Sequence, residues 1–95
     1  MIADLLITNA RWLVTCAGPA PRRGRGQSDA GCIEHGDVAA RDGIIIFAGR
    51  TVDRAACVDT SSQTRVVDAT HRSILPGFVD PHTHVVFAGD RRDEL

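Results

Sequence analysis

Two histidines separated by one residue, His82 and His84, are the side chains whose spacing most directly suggests chemistry. On an extended strand, side chains at positions i and i+2 point to the same face of the strand. Two imidazoles on one face can bind the same transition metal, and imidazole is a ligand that suits zinc and iron. Histidines also fall two residues apart by chance, so a surface strand with two solvated imidazoles is the alternative interpretation.

The residues before this pair predict that it lies where a strand ends. Pro76-Gly77 indicates a turn, and Phe78-Val79 is typical of the beginning of a buried strand. Pro81 cannot donate a hydrogen bond to a sheet, which favours a strand end or a bulge at that point. Barrel enzymes keep their catalytic residues at strand ends, so this context strengthens the case for metal binding.

Charged residues flank the histidines on both sides. Asp80 lies two residues before His82, where it would either orient a ligating imidazole or be an ordinary acid at a strand end. The run 90–94 contains Arg91 and Arg92, and such runs are usually solvated. Because an arginine can bind a carboxylate through two parallel hydrogen bonds, either arginine is also a candidate substrate contact.

The rest of the chain predicts a small, mainly β domain of the sandwich type. Asn9-Ala10 indicates a turn or bulge within the first strand region, and Asp42-Gly43 indicates a hairpin turn. Residues 16–36 are rich in Gly, Pro, Arg and Ser and are predicted to form a long loop. Thr51 is the expected N-cap of a short helix. The predicted strands are 4–8, 11–15, 36–41, 44–48, 65–68 and 73–75, and the predicted helix is 51–57.

Composition excludes several classes of protein. Ninety-five residues suffice for one small domain, and 43% hydrophobic residues with mixed charge are typical of a globular chain. A net charge of −1 argues against a general nucleic-acid-binding protein, and no apolar run is long enough to span a membrane. Three cysteines without a Cys-x-x-Cys pair, and no basic segment at the N-terminus, predict reduced thiols and a cytoplasmic location.

The segment Leu75–His84 resembles the first metal motif of the amidohydrolase superfamily, and its continuation Val85–Arg91 resembles the imidazolonepropionase family within it. Upstream, Asp4–Ala10, Arg41–Ile45 and Val67–Ala69 are similar to that family's N-terminal β-sandwich, which packs beside a (β/α)8 barrel. The resemblance covers most of the chain and is weakest in the loop rich in Arg and Gly.

This resemblance implies roles for particular residues. His82 and His84 would ligate one catalytic Zn or Fe ion, and Arg91, with Arg92 as the second choice, would bind the carboxylate of a small-molecule substrate. The implied reaction is hydrolysis of the cyclic amide of 4-imidazolone-5-propanoate to N-formimidoyl-L-glutamate in histidine degradation. The resemblance places no other catalytic residue in this segment.

The resemblance also implies a division of the chain. Residues 1–75 would form the N-terminal β-sandwich domain, and residues 76–95 would begin a barrel of which only the first strand is present. A complete barrel needs about 250 residues. We therefore expect the chain to be an N-terminal fragment that is inactive by itself, and we keep open a homodimer for the complete enzyme.

Two alternatives to this enzyme remain. Another amidohydrolase, such as a guanine or cytosine deaminase or a dihydroorotase, would share the Pro-Gly and His-x-His pattern. A small non-catalytic β binding module with incidental histidines would be a protein of another class, and such a module should fold cooperatively without metal.

Overall fold

The computed structural model describes residues 1–84, 86, 88 and 89, and their regular structure is mainly β. This confirms the predicted fold class, and the hairpin and the helix also fall where the sequence placed them. The strands are β1 (Leu5–Val14), β2 (Cys32–Arg41), β3 (Ile44–Arg50), β4 (Arg65–Asp68) and β5 (Ser73–Ile74); α1 spans Thr51–Cys57, and a 3₁₀ turn spans Gly24–Ser28.

The five strands form one mixed sheet with β1 at its centre. The strand order is β3-β2-β1-β4, and β5 pairs with β1 beyond the end of β4. β2 is antiparallel to both β1 and β3, whereas β4 and β5 are parallel to β1. A long central strand that pairs on both sides explains why the N-terminal residues and the 65–74 region belong to one unit.

A bulge in β1 replaces the two separate strands that the sequence suggested. The register against β2 shifts between Ile7 and Ala10, and Asn9 has a φ of 60°. Asparagine tolerates this left-handed conformation better than most residues, so the chain can bend here without leaving the sheet. The predicted bulge at Asn9-Ala10 is therefore confirmed, within a single ten-residue strand.

The β2–β3 hairpin follows the Asp-Gly signal. Asp42 and Gly43 have φ values of 51° and 77°, as a type I′ turn requires at both central positions. The backbone N–H of Asp42 donates a hydrogen bond of 2.8 Å to the Asp4 carboxylate, which joins the turn to the beginning of the chain. The long loop predicted for 16–36 is shorter, because β2 begins at Cys32.

A small apolar cluster lies between the sheet and the α1 region. Ala39 is fully buried, and Leu6 and Val58 are only 3% and 4% exposed. Small side chains such as alanine at these positions allow the helix and the sheet to approach closely. The cluster comprises Ala3, Leu6, Ala39 and Val58, with Ile46 and Phe47 packed against it.

The buried strand predicted at Phe78-Val79 is wrong for the described residues. Phe78 is 95% exposed and Val79 is 88% exposed, and neither lies in a strand. A strand is stable only beside another strand, and the described part of the chain offers no pairing partner at this position. The division into 1–75 and 76–95 stays a prediction, as does the second layer of a sandwich.

None of the helices in the described residues combines the length and the apolar character that crossing a bilayer requires.

Candidate functional site

His82 and His84 lie side by side in the segment that follows the sheet. Their Nε2 atoms are 3.1 Å apart, and the two rings are stacked with centroids 5.1 Å apart and an interplanar angle of 28°. Both side chains are exposed. The expectation that the two imidazoles face the same point therefore agrees with their geometry, although the backbone around them is not a strand.

The separation of the two nitrogens suits ligands of one metal ion. Zn–N bonds of about 2.0–2.1 Å at a tetrahedral angle place two nitrogens about 3.3 Å apart. The observed 3.1 Å needs only a small adjustment, provided that both Nε2 atoms present lone pairs and both protons sit on Nδ1. The pair thus fits half of a metal site.

The other half is not found in the described part of the chain. Catalytic zinc normally has three protein ligands. Among residues 1–84, 86, 88 and 89, no three His, Cys, Asp or Glu side chains come together in a way that could hold a metal ion. Two imidazoles are fewer protein ligands than a catalytic zinc ion normally has, so the pair alone would hold a metal ion only weakly.

Asp80 acts on the backbone rather than on a ring. Its Oδ1 accepts a hydrogen bond of 3.1 Å from the backbone N–H of His82, which closes a tight turn of the Asx type. The carboxylate therefore helps to hold the backbone at His82 in one conformation. This geometry differs from both roles considered for Asp80, because the carboxylate contacts the backbone of His82 instead of its imidazole and is not simply solvated.

Arg91 and Arg92, the candidate substrate contacts, lie outside the described residues. Their predicted roles in binding a carboxylate depend on the sequence alone.

Asp37 in β2 is a buried carboxylate that the sequence analysis did not single out. It is fully buried, and Arg54 of α1 donates to it from Nε at 2.9 Å. The Thr51 hydroxyl donates at 2.6 Å, the Thr8 hydroxyl at 3.1 Å, and the backbone N–H of Asn9 at 2.7 Å. An acid directly before the apolar run Val38-Ala39-Ala40 of β2 is the signal that could have revealed it.

Two opposing effects set the pKa of Asp37. Burial is the largest, and it raises the pKa because a low-dielectric environment disfavours the charged form. The hydrogen bonds from Thr51, Asn9, Thr8 and Arg54 favour the charged form, and together they bring the pKa below its ordinary value. The carboxylate is therefore ionised and saturated with donors, which suits it to joining elements and not to proton transfer.

The Asp37 network also corrects the predicted helix cap. Arg50, with extended backbone angles, occupies the N-cap position of α1, and Thr51 is the first helical residue. The Thr51 hydroxyl donates to the buried carboxylate of Asp37 instead of accepting a hydrogen bond from the helix backbone. A charged acceptor without access to water is the stronger partner for that hydroxyl.

Comparison with known proteins identifies similar sequences over nearly the whole chain. The imidazolonepropionase of Symbiobacterium thermophilum is 53% identical over 97% of this chain, and that of Chloroflexus aggregans is 45% identical over 97%. The imidazolonepropionase of Parabacteroides distasonis is 42% identical over 98%. The chain spans only about a fifth of these relatives, between 21% and 22% of their length. No family model matches the chain.

A solved structure of a Bacillus thuringiensis protein has a similar fold. It superposes with a TM-score of 0.50, covering 90% of this chain and 93% of the other, at 20% identity. At this level of identity the likeness supports the arrangement of the strands alone.

Proposed function

We propose that this chain is the N-terminal part of an imidazolonepropionase, a hydrolase that opens the cyclic amide of 4-imidazolone-5-propanoate to give N-formimidoyl-L-glutamate. The observation that carries the proposal is the identity of 53% along almost the whole chain, which includes the residues around His82 and His84. The spacing of their nitrogens supports the same interpretation, because it suits two ligands of one metal ion.

His82 and His84 would hold a Zn or Fe ion together with ligands from outside the described residues. A metal bound there would make hydroxide available near neutral pH and polarise the carbonyl of the substrate. The task of the two imidazoles is to present their Nε2 lone pairs while keeping their protons on Nδ1. Asp80 supports this by holding the backbone N–H of His82 in place.

Arg91 would bind the propionate carboxylate of the substrate. A guanidinium offers two parallel N–H donors to a carboxylate and stays charged at every physiological pH. This contact exists equally in the substrate and in the transition state, so we assign it to substrate binding rather than to the chemical step.

For the complete protein we propose a cytoplasmic enzyme that acts on a small carboxylate-bearing molecule. Its function would not involve nucleic acid or membrane binding, and a homodimer is the assembly that we consider first.

A chimera tests the proposal. This chain would replace the matching N-terminal segment of the Symbiobacterium thermophilum imidazolonepropionase, and hydrolysis of 4-imidazolone-5-propanoate would be measured with one equivalent of metal. We expect activity near that of the parent enzyme. His82→Asn and His84→Asn should each lower kcat/KM by about 10³-fold, because loss of a metal ligand removes several kcal/mol of transition-state stabilisation.

Arg91→Gln in the same chimera should raise KM by about tenfold or more with a smaller change in kcat, since a charge-assisted hydrogen bond contributes about 1.5–3 kcal/mol. Arg23→Gln, in the exposed loop before the 3₁₀ turn, is the matched control and should change neither constant. A folded, metal-loaded chimera without activity would contradict the proposed function, and unchanged kinetics in Arg91→Gln would contradict the role of Arg91.

A further inference from the structure

A small cleft lies at the bulge of β1, apart from His82 and His84. It has a volume of about 140 Å³ and is lined by Asn9 and Arg11 of β1, His35 of β2, and Thr70 and His71 of the β4–β5 turn. The cleft thus brings together residues that are 62 positions apart along the chain. Neither His35 nor His71 has a role in the proposed hydrolase site.

The backbone around the cleft is unusual. Among the described residues, five non-glycine residues have positive φ, and three of them, Asn9, His35 and His71, line this cleft, with φ values of 60°, 52° and 63°. Left-handed backbone costs a non-glycine residue free energy and persists where surrounding contacts hold it, often at binding sites. Three such residues in one cleft are typical of a place where side chains are held in position for binding.

The side chains that line the cleft carry nitrogen donors and no carboxylate. Arg11 contributes a guanidinium, His35 and His71 contribute imidazoles, and Asn9 contributes an amide that donates to the Thr70 hydroxyl at 3.1 Å. Imidazole gains a positive charge as the pH falls from 8 towards 5. This set of groups is complementary to an anion with several acceptor oxygens.

The carboxylates beside the cleft are already engaged. Glu34 accepts from Arg11 at 2.6 Å and is 4.0 Å from the ring of His35. Asp68 accepts from the Thr70 hydroxyl at 2.5 Å and from the Thr70 backbone N–H at 2.9 Å. These two acids reduce the positive charge near the cleft. The pKa of Asp68 is lowered mainly by the hydrogen bonds from Thr70, with smaller contributions from His71 and Arg72.

The volume limits the size of the ligand. The cleft of 140 Å³ is several times larger than the volume of about 30 Å³ that one molecule occupies in liquid water. It is smaller than the pockets of about 300–1,000 Å³ that usually bind larger ligands. We propose that this cleft binds a small tetrahedral oxyanion such as sulfate or inorganic phosphate through Arg11, His35 and His71. The proposal is independent of the hydrolase activity.

Histidine side-chain NMR on the chain tests the proposal, with sodium sulfate titrated against sodium chloride at constant ionic strength, at pH 6 and pH 8. Sulfate keeps its charge over this range, so a change in affinity reports the protein. We expect saturable shifts at His35 and His71 but not at His82 or His84, and at least fivefold tighter binding at pH 6. Inorganic phosphate at pH 6 should compete with sulfate, whereas acetate should not.

Variants locate the ion. His35→Asn and His71→Asn should each weaken sulfate binding about tenfold, because each removes one charge-assisted hydrogen bond. Asparagine is chosen since it tolerates the left-handed backbone at both positions. Arg23→Gln, which removes a charge from a residue that does not line the cleft, is the matched control and should bind sulfate as the parent does.

The double variant Arg11→Gln/Glu34→Gln removes the whole ion pair without leaving an unpaired carboxylate, and it should also weaken sulfate binding. It keeps the proposal testable if the histidine variants fail to fold. Far-UV circular dichroism checks the fold of each variant. Shifts that do not saturate, shifts of equal size with chloride, or a folded His35→Asn/His71→Asn double variant that binds like the parent would each overturn the proposal.

Discussion

At the scale of single residues, Asp37 contributes most to holding different elements together. It is fully buried, and its donors come from the bulge of β1 and from α1. Asn9, one of these donors, also binds Thr70 through its side chain, so the network extends from the helix to the β4–β5 turn. A charge at this position is stable only while its partners stay in place.

Asp37→Ala should therefore lower the free energy of unfolding by about 3 kcal/mol, because it leaves Arg54 and three other donors without their acceptor. Urea denaturation followed by circular dichroism measures the change. Asp59→Ala is the matched control, since the Asp59 side chain is exposed and lies 3.9 Å from the N-terminal amine. Equal effects of the two substitutions would contradict a stabilising role for the buried network.

The lowered pKa of Asp37 makes stability depend on pH in a defined direction. A carboxyl whose pKa is lower in the folded state stabilises the fold fully above its unfolded pKa, about 3.9. That contribution is lost as the pH falls below this value and through the folded pKa. Asp37→Asn should accordingly show a weaker loss of stability between pH 5 and pH 2 than the parent.

Urea midpoints at half-unit steps of pH measure this loss of stability. Asp68, whose pKa is lowered by hydrogen bonds from Thr70, acts in the same direction from an exposed position, so Asp68→Asn serves as the comparison. Parallel pH profiles for the parent and Asp37→Asn would show that Asp37 does not contribute to acid sensitivity.

At the scale of elements, the β2–β3 hairpin depends on the conformation of its turn. Gly43 has a φ of 77° and open space around an added Cβ, whereas Gly77 has equally open space without a positive φ. Gly43→Ala should cost about 1–2 kcal/mol, because an L-residue is strained in this conformation. Gly77→Ala should have almost no effect. Chemical denaturation measures the free energy of unfolding of both variants, and equal losses would contradict a role for the positive φ of Gly43.

The sequence predicted elements whose signals are local. The two consecutive residues Asp42 and Gly43 predict the hairpin turn, and the apolar run after them predicts a strand. The helix at Thr51–Cys57 was also placed correctly, although its cap was not. The cap was wrong because the partner of Thr51 is Asp37, 14 residues away, and a pattern of neighbouring residues carries no information about that contact.

Features that depend on distant pairing were not predictable in the same way. The parallel pairing of β1 with β4 and β5 joins segments about 60 residues apart. Phe78-Val79 has the composition of a strand but no partner among the described residues, so composition alone misassigned it. His82 and His84 lie close together although the strand on which the prediction rested is absent there, and their role as metal ligands stays a prediction.

At the scale of the whole molecule, the histidine pair lies outside the strands of the sheet. The buried cluster is built from Ala3, Leu6, Ala39 and Val58, and the strand pairs that surround it end at Ile74. His82 and His84 contact each other in the segment beyond the sheet. The chain spans about a fifth of the imidazolonepropionases it resembles. Under the proposed function, the further metal ligands would come from a segment outside the part that matches.

This separation predicts that metal does not stabilise the described fold. A ligand raises Tm only if it binds the folded state more tightly than the unfolded state. Two histidines two residues apart can approach one metal ion in either state, so their affinity should be nearly the same before and after unfolding. We expect Tm of the chain with excess zinc to lie within about 2 °C of Tm with a chelator. This difference is smaller than the shift in Tm that about 1 kcal/mol of added stability would produce in a domain of this size.

The chimera with the Symbiobacterium thermophilum enzyme provides the contrast, because its further metal ligands would lie close to His82 and His84 only when the protein is folded. There, zinc or iron should raise Tm by several degrees, and His82→Asn should remove most of that increase. Scanning calorimetry of both proteins, with and without metal, makes the comparison. A large metal-dependent increase in the 95-residue chain would mean that it completes a metal site by itself, and this would contradict the assignment of His82 and His84 as half of a site.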